Sequence, residues 1–288
     1  MISLPDFREK QILFVQIQWG DRCGIRFRND NIIFLKNDEV VNQLSCHKVF
    51  AVFIIGDTFI TTRLIKEAQK YGISLFFLKQ NLETYASINA QAEGNYLLRK
   101  KQYDLSEAEE LSIAKKIVKN KAENQQSLLQ AGSDASEKIH RAIVNIDTAT
   151  TSQELLGIEG NITKVFFSEY FESIGWMRRT PRARQDIPNF LMDMGYTYLF
   201  HFIDSLLRLY GLDTYKGVYH KLFFQRRSLA CDIEEPFRCI IDKQIMKSFN
   251  LKQINKKDFT FRNGQYSLSF DKSKKYNAFF SEAIGFVA

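Results

Sequence analysis

Residues 219–238 read YHKLFFQRRSLACDIEEPFR, and this stretch concentrates the groups in the chain that could do chemistry. His220, one of only four histidines, precedes a cluster of Asp232, Glu234 and Glu235, with Arg226, Arg227 and Arg238 around it. Asp232 and Glu235 are three apart and share a face if their segment is helical. Pro236 belongs either to the first turn of a following helix or to a kink. One imidazole and two carboxylates make a mixed nitrogen and oxygen donor set that suits Mg²⁺ or Mn²⁺ better than a structural zinc. Such an ion would neutralise a phosphodiester and support an attacking or leaving oxygen, with the arginines as positive surroundings. A helix start rich in Asp and Glu is also ordinary macrodipole chemistry, so the spacing alone leaves both readings open.

A further acid comes from TTSQELLGIEGNITKVFFSEYFESIG. Thr151 and Glu154 have capping-box spacing and predict a helix start. At roughly 100° per residue, Leu155, Ile158, Ile162, Phe166 and Tyr170 form one apolar stripe. Glu159 projects inside that stripe, whereas Glu169 and Glu172 read as surface. A carboxylate at an apolar interface must be neutralised, hydrogen-bonded or bound to a cation. Either an arginine across a helix interface supplies the charge, or His220 and the acidic cluster meet Glu159 around an ion. Gly157 and Gly160 flank it, each costing about 1 kcal/mol against alanine in a helix, and they suit close approach of another backbone.

The elements that must position these groups have two textures. Within residues 1–88, QILFVQIQ, CGIRFR, NIIFLK, VFAVFII and ISLFFL predict strands, with RNDN as a turn. One helix is expected over TFITTRLIKEAQKYG, capped by Thr58 and stopped by Gly72. Residues 89–103 read as a connector, and 104–288 turn to helical spacing. The expected fold is α+β in two domains: a small, mainly β N-terminal domain with one helix, and a larger all-α C-terminal domain carrying the metal site. FTFRNGQYSLSF predicts a hairpin at Asn263-Gly264. Residues 243–276 hold nine basic and two acidic side chains, reading as a solvated basic tail or a DNA-contacting one.

With 288 residues and 45% apolar content the chain has enough material for real cores. Its formal charge of +7 biases toward a polyanionic partner. Cys23, Cys46, Cys231 and Cys239 have neither zinc-ribbon nor disulfide-framework spacing and read as buried thiols in a reducing compartment. MISLPDFREK lacks the apolar core of a signal peptide, and no stretch is long and apolar enough for a membrane span, so a cytoplasmic protein without membrane partners is expected. His47, His140 and His201 read as structural; Trp176, Phe223 and Phe224 read as core.

LLGIEGNITKVFF, RRTPRARQDIPNFLMDMGYTYLF, YGLDTYKGVYH and SLACDIEEPFR, in that order, resemble the CRISPR adaptation integrase family, whose members insert new spacers into the array. The resemblance is dense over 154–242 and extends more weakly to AKKIVKNKAENQQSLL and the first 88 residues. It implies a homodimer formed through the N-terminal domain, a small ferredoxin-like companion protein, and double-stranded DNA partners: a captured duplex and the CRISPR repeat. It also selects Glu159, His220 and Glu235 as catalytic metal ligands, with Asp232 as a supporting acid. Where family members often have Asp-Pro-x-Asn, this chain has Asp186-Ile187-Pro188-Asn189.

The activity so implied is transesterification, a 3′-hydroxyl of captured DNA attacking a phosphodiester at the repeat border with Mg²⁺ or Mn²⁺ as cofactor. Arg178, Arg179, Arg182, Arg184, Lys221, Arg226, Arg227 and Arg238 are the expected DNA contacts. Two alternatives remain open at this point: an endonuclease hydrolysing branched or linear DNA with the same residues, and a non-catalytic DNA-binding scaffold.

Overall fold

The computed structural model describes residues 9–17, 22–79, 83–89, 95–176, 178–220 and 224–284. Its N-terminal part contains β1 (Gln11–Gln16), β2 (Cys23–Arg28), β3 (Asn31–Lys36), β4 (Glu39–Ser45), β5 (Val49–Ile55), helix α1 (Thr62–Lys70), β6 (Ser74–Leu78) and β7 (Thr84–Ile88). One sheet runs β1-β5-β6-β7, with β7 antiparallel to β6 and the other pairs parallel; β2-β3-β4 form an antiparallel sheet. β5, VFAVFII, is buried along its whole length, as a continuous apolar run in a central parallel strand should be. The RNDN turn joins β2 to β3, with Asn29 and Asp30 both at positive φ, the geometry a tight hairpin requires.

Helix α1 starts later than the sequence suggested. Thr61 Oγ1 accepts from Leu64 N at 3.2 Å as the cap. Thr58 instead donates to the Cys23 carbonyl at 2.7 Å, because Phe59 bridges Gly24 and the chain is still extended there. Gly72, at φ 71°, follows the helix. A further helix, α2 (Tyr96–Tyr103), occupies most of the segment read as a connector. Arg99 Nε donates to Gly211 O at 2.8 Å and Gln102 Nε2 to Asp213 O at 2.7 Å, so residues up to Asp104 and His201–Thr214 form one compact unit. Phe202 packs near Phe14 and Phe53 of its sheet.

The second unit takes Leu105–Phe200 and the chain from Tyr215. Its elements are α3 (Glu107–Ser127), α4 (Asp134–Thr148), α5 (Ser152–Tyr170), the first part of α6 (Ile187–Leu209), α7 (Ser228–Glu234), a 3₁₀ turn (Glu235–Phe237), α8 (Arg238–Asn250), β8 (Phe259–Arg262), β9 (Gln265–Leu268) and α9 (Phe270–Ile284). Ser106 and Glu109 form a full capping box at α3. At α5 Thr151 Oγ1 accepts from Glu154 N, while the Glu154 carboxylate reaches one residue further back, to Thr150 N. Gly195 lets α6 approach α8 and α9: a Cβ there would overlap Ile241 and stand 2.9 Å from Phe280.

The architecture is therefore α+β, strands first and a larger helical part after, with two departures from expectation. The helical part is not purely helical, because β8 and β9 pair as the Asn263-Gly264 hairpin. Nor does the basic C-terminal segment trail into solvent: Tyr276 and Phe280 of α9 are buried, and Lys272 pairs with Asp258 at 3.1 Å. Cys46 is buried, and Cys23, Cys231 and Cys239 are half-buried; all are free thiols. Among the described residues no helix is long and apolar enough to cross a membrane.

Candidate metal centre

Glu159 enters the interior from α5 because its helical position lies beside Leu155, Ile162 and Phe166, all buried. The cation that meets it is a lysine from α3, not an arginine. Lys121 Nζ contacts Glu159 Oε1 and also stands 2.7 Å from Glu235 Oε2, with the three side chains 8%, 12% and 5% exposed for Lys121, Glu159 and Glu235. Burial works to lower the Lys121 ammonium, but the charges of Glu235 and Glu159 outweigh it and hold its pKa above the ordinary lysine value. Burial likewise pushes Glu235 up, and the Lys121 and Arg238 cations more than reverse it, leaving that carboxyl below its usual range. The Tyr219 hydroxyl donates to Glu159 Oε2 at 2.6 Å and fixes the second oxygen.

Glu235 reaches this point by opening the 3₁₀ turn between α7 and α8, in which Pro236 is the second residue, so the proline belongs to the first turn ahead of α8. Asn124, one turn beyond Lys121 on α3, donates to the Pro236 carbonyl at 2.8 Å and fastens the turn to the same helix.

His220 is held by Asp232, a fully buried carboxylate. Asp232 Oδ2 accepts from Val218 N at 2.7 Å and Tyr219 N at 3.0 Å; Oδ1 accepts from His220 N at 2.8 Å and meets His220 Nδ1 at 2.6 Å. An ionised carboxylate is acceptor-only, so Nδ1 carries the hydrogen and, in the neutral ring, Nε2 is the nitrogen left with a lone pair. Asp232 is thus an orienting group, the arrangement that supports metal-binding imidazoles generally. Gly217 makes room for it, since a Cβ there would lie 2.8 Å from Asp232 Oδ2 and from Ser228 Cβ.

Arg238 faces inward. Its guanidinium contacts Glu235 Oε1 at 2.8 Å and Glu234 Oε2 at 3.2 Å and lies over the Tyr196 ring. Burial would lower the guanidinium, but Glu234 and Glu235 raise it further. Burial pushes Glu234 up to about 7 against that pairing. Beneath it, burial also raises Asp242 to about 7, although the Tyr196 hydroxyl donates to it at 2.6 Å.

The expected DNA contacts separate by direction. Arg178, Arg182 and Arg184 are exposed on the loop before α6, whereas Arg179 turns inward to Asp193 at 2.5 Å and Asn189 at 3.0 Å. The altered Asp186-Ile187-Pro188-Asn189 order still caps α6, with Asp186 Oδ1 accepting from Asn189 N at 2.7 Å. Asn189 and Asp193 also bind Thr180 N and Arg182 N, so helix residues secure the loop. Arg226 and Arg227 are half-buried, with Arg226 Nε donating to Ser228 Oγ at 3.2 Å. Lys221 and Phe223 lie outside the described residues. Trp176 packs near Phe167 and Phe171 as expected of a core residue. Phe224, by contrast, is 83% exposed in the turn ahead of α7, which overturns its reading as core.

Among the described residues no three acidic, histidine or cysteine side chains stand close enough to share an ion as placed. The donor chemistry nevertheless fits a divalent cation. Two carboxylates converge on one ammonium, which marks the place as selective for positive charge, and an imidazole is held nearby with its Nε2 lone pair available. Lys121 is the residue that sequence reasoning missed. Ala114, Ile117, Val118, Ala122 and Gln125 are the buried face of α3, and a lysine on that stripe signals a buried partner just as Glu159 does on α5.

A family model described as CRISPR associated protein Cas1 matches residues 19–282. The CRISPR-associated endonuclease Cas1 1 of Thermodesulfovibrio yellowstonii is 31% identical over 258 residues, spanning 83% of this chain and 81% of that protein. Among solved structures, a partial Cas6-RT-Cas1–Cas2 complex superposes at TM-score 0.77 with 23% identity, covering 95% of this chain and 88% of the other. A casposase bound to integration product gives TM-score 0.68 at 19% identity, covering 95% and 86%.

Proposed function

The chain belongs to the CRISPR-associated Cas1 family, and from that premise we propose that it is a metal-dependent DNA integrase of CRISPR adaptation. The carrying observation is the convergence of Glu159 and Glu235 on one buried cation beside an oriented His220. Glu159, His220 and Glu235 would hold a Mg²⁺ or Mn²⁺ ion, which supplies Lewis-acid stabilisation of charge on a phosphodiester. In the reaction a DNA 3′-hydroxyl gives up its proton as its oxygen bonds to phosphorus at the repeat border, the P–O3′ bond of the repeat breaks, and the released 3′-oxygen takes up a proton. Phosphodiester bonds are conserved, so no nucleotide cofactor is consumed.

The protein's own groups hold this arrangement in place. Asp232 presents Nε2 of His220, Tyr219 fixes the Glu159 carboxylate, and Arg238 balances Glu235. Exposed Arg178, Arg182 and Arg184 would position the DNA backbone, with Lys221, Arg226 and Arg227 nearer the acids in sequence. Arg179 and Arg238 contribute from inside, through loop and carboxylate placement. In this reading the protein works in the cytoplasm as a homodimer with a small ferredoxin-like companion, on a captured duplex and the CRISPR repeat.

The endonuclease name of the relative favours a second reading, hydrolysis by the same residues with water as nucleophile. One experiment separates them. Wild type and His220→Ala are incubated with Mn²⁺, the companion, a short duplex with free 3′-hydroxyls and a plasmid bearing the repeat. Joining of duplex to plasmid by wild type alone is expected. Cutting without joining would select the nuclease, and unaltered DNA that both proteins still bind would overturn both in favour of a scaffold.

A further inference from the structure

The charges around Lys121 set a condition on metal binding, provided the site is metal-dependent as proposed. Lys121 sets one positive charge against the two carboxylates it touches, Glu159 and Glu235, while Arg238 is shared between Glu235 and Glu234. Adding a divalent ion while the ammonium stays would set three positive charges against those two carboxylates, among side chains only 5–12% exposed, an unfavourable state in a medium of low polarity. The excess falls if an anion arrives with the ion, or if the ammonium gives up a carboxylate. A DNA phosphodiester supplies the anion. Gln125, one turn along the same buried face of α3, carries a buried Oε1 without a hydrogen-bond partner among the described residues and offers an acceptor for a displaced ammonium.

We infer that Lys121 is a resident counter-cation that makes divalent-ion binding depend on DNA: it holds the carboxylates together in the metal-free protein and opposes occupation of the site until a phosphodiester is present. Lys121 is a positioning residue here, acting on the ion through Glu159 and Glu235 and not on the reacting atoms.

Mn²⁺ titrations followed by the electron paramagnetic resonance of free Mn²⁺ test this on the full chain, with and without a short DNA duplex. His220→Ala plus duplex provides the background for ions bound by DNA itself. For wild type, the duplex is expected to tighten Mn²⁺ binding at least tenfold above that background. Lys121→Met, of similar length and uncharged, should bind Mn²⁺ at least tenfold more tightly than wild type without DNA and gain little from the duplex. Lys121→Arg, which keeps the charge, should retain the wild-type dependence. Equal affinity of wild type with and without duplex overturns the inference, as does Lys121→Met binding no more tightly than wild type. If Lys121→Met does not fold, the wild-type comparison decides. Failure of the metal-dependent reading looks different: no Mn²⁺ site that His220→Ala removes, with or without DNA.

Discussion

Replacing Asp232 with alanine removes the acceptor for three backbone N–H groups and one imidazole at once. Leaving a buried donor unsatisfied costs about 1–3 kcal/mol, more when the lost acceptor was charged. His220 is half-buried, so water can reach part of the emptied space and the sum falls toward the low end, roughly 3–4 kcal/mol. For a unit of this size each kcal/mol shifts the melting temperature by about 2–4 °C, giving a loss of roughly 10 °C. Most of that comes from the backbone groups and not the ring. In a His220→Ala background Asp232→Ala should therefore retain nearly all its cost, with a coupling of no more than about 1 kcal/mol. Urea denaturation of the four proteins measures this cycle, and ¹⁵N spectra of His220 in the single variant should show loss of a fixed Nδ1–H tautomer. An Asp232→Ala cost under about 1 kcal/mol, or one that vanishes when His220 is absent, would refute the backbone-cage reasoning.

Asp242 has a folded-state pKa raised to about 7 by burial, above its ordinary value of 3.8, so its contribution to stability is present below the lower value and lost as pH rises through the upper one. Asp242→Asn keeps an oxygen for Tyr196 and removes that loss: the variant should match wild type near pH 4 and exceed it at pH 8 by about 2–4 kcal/mol. Urea midpoints at both pH values test this, and no gain at pH 8 would contradict it. Gly195→Ala gains about 1 kcal/mol of helix propensity but places a methyl against Ile241 and Phe280, an overpacking cost of about 1–3 kcal/mol. Neither neighbour is the far end of a flexible side chain, so a fall of several degrees in melting temperature is expected; a rise would mean that α6 is not held this closely.

The strand-rich beginning, the helical change of period, the Asn263-Gly264 hairpin and the misplaced carboxylate at 159 were all legible in the sequence because each depends on local periodicity or turn chemistry. Other features depend on partners far along the chain. Thr58 and Thr61 are equally good caps in isolation, and only the bridge from Phe59 to Gly24 decides between them. Lys121 sits among Lys115, Lys116 and Lys119, so it reads as one more solvated lysine unless its place on the buried stripe is weighed. Asp232 as the acceptor for residues 218–220 has no sequence signature, because the direction of three backbone N–H groups is a tertiary fact. Arg179 and Arg238 looked like their exposed neighbours for the same reason.

The loop before α6 separates two tasks that arginine-rich segments often combine. Its path is set by Asn189 and Asp193 on the helix, by Asp186 just ahead of it and by Arg179 turned inward, and Tyr266 N donates to the Arg184 carbonyl at 2.8 Å, a backbone bond that is indifferent to the side chain at 184. The exposed side chains at 178 and 182 carry none of that fastening, whereas Arg184 lies over the Phe190 ring of the same helix, 5.6 Å from its centroid. Substitutions at 178, and at 182 within what its φ of 64° allows, can accumulate across descendants of this protein without moving the loop, while the anchoring residues remain under a folding constraint. Drift in charge and length on the outer face then becomes a route by which a lineage retunes what it grips while inheriting its scaffold unchanged.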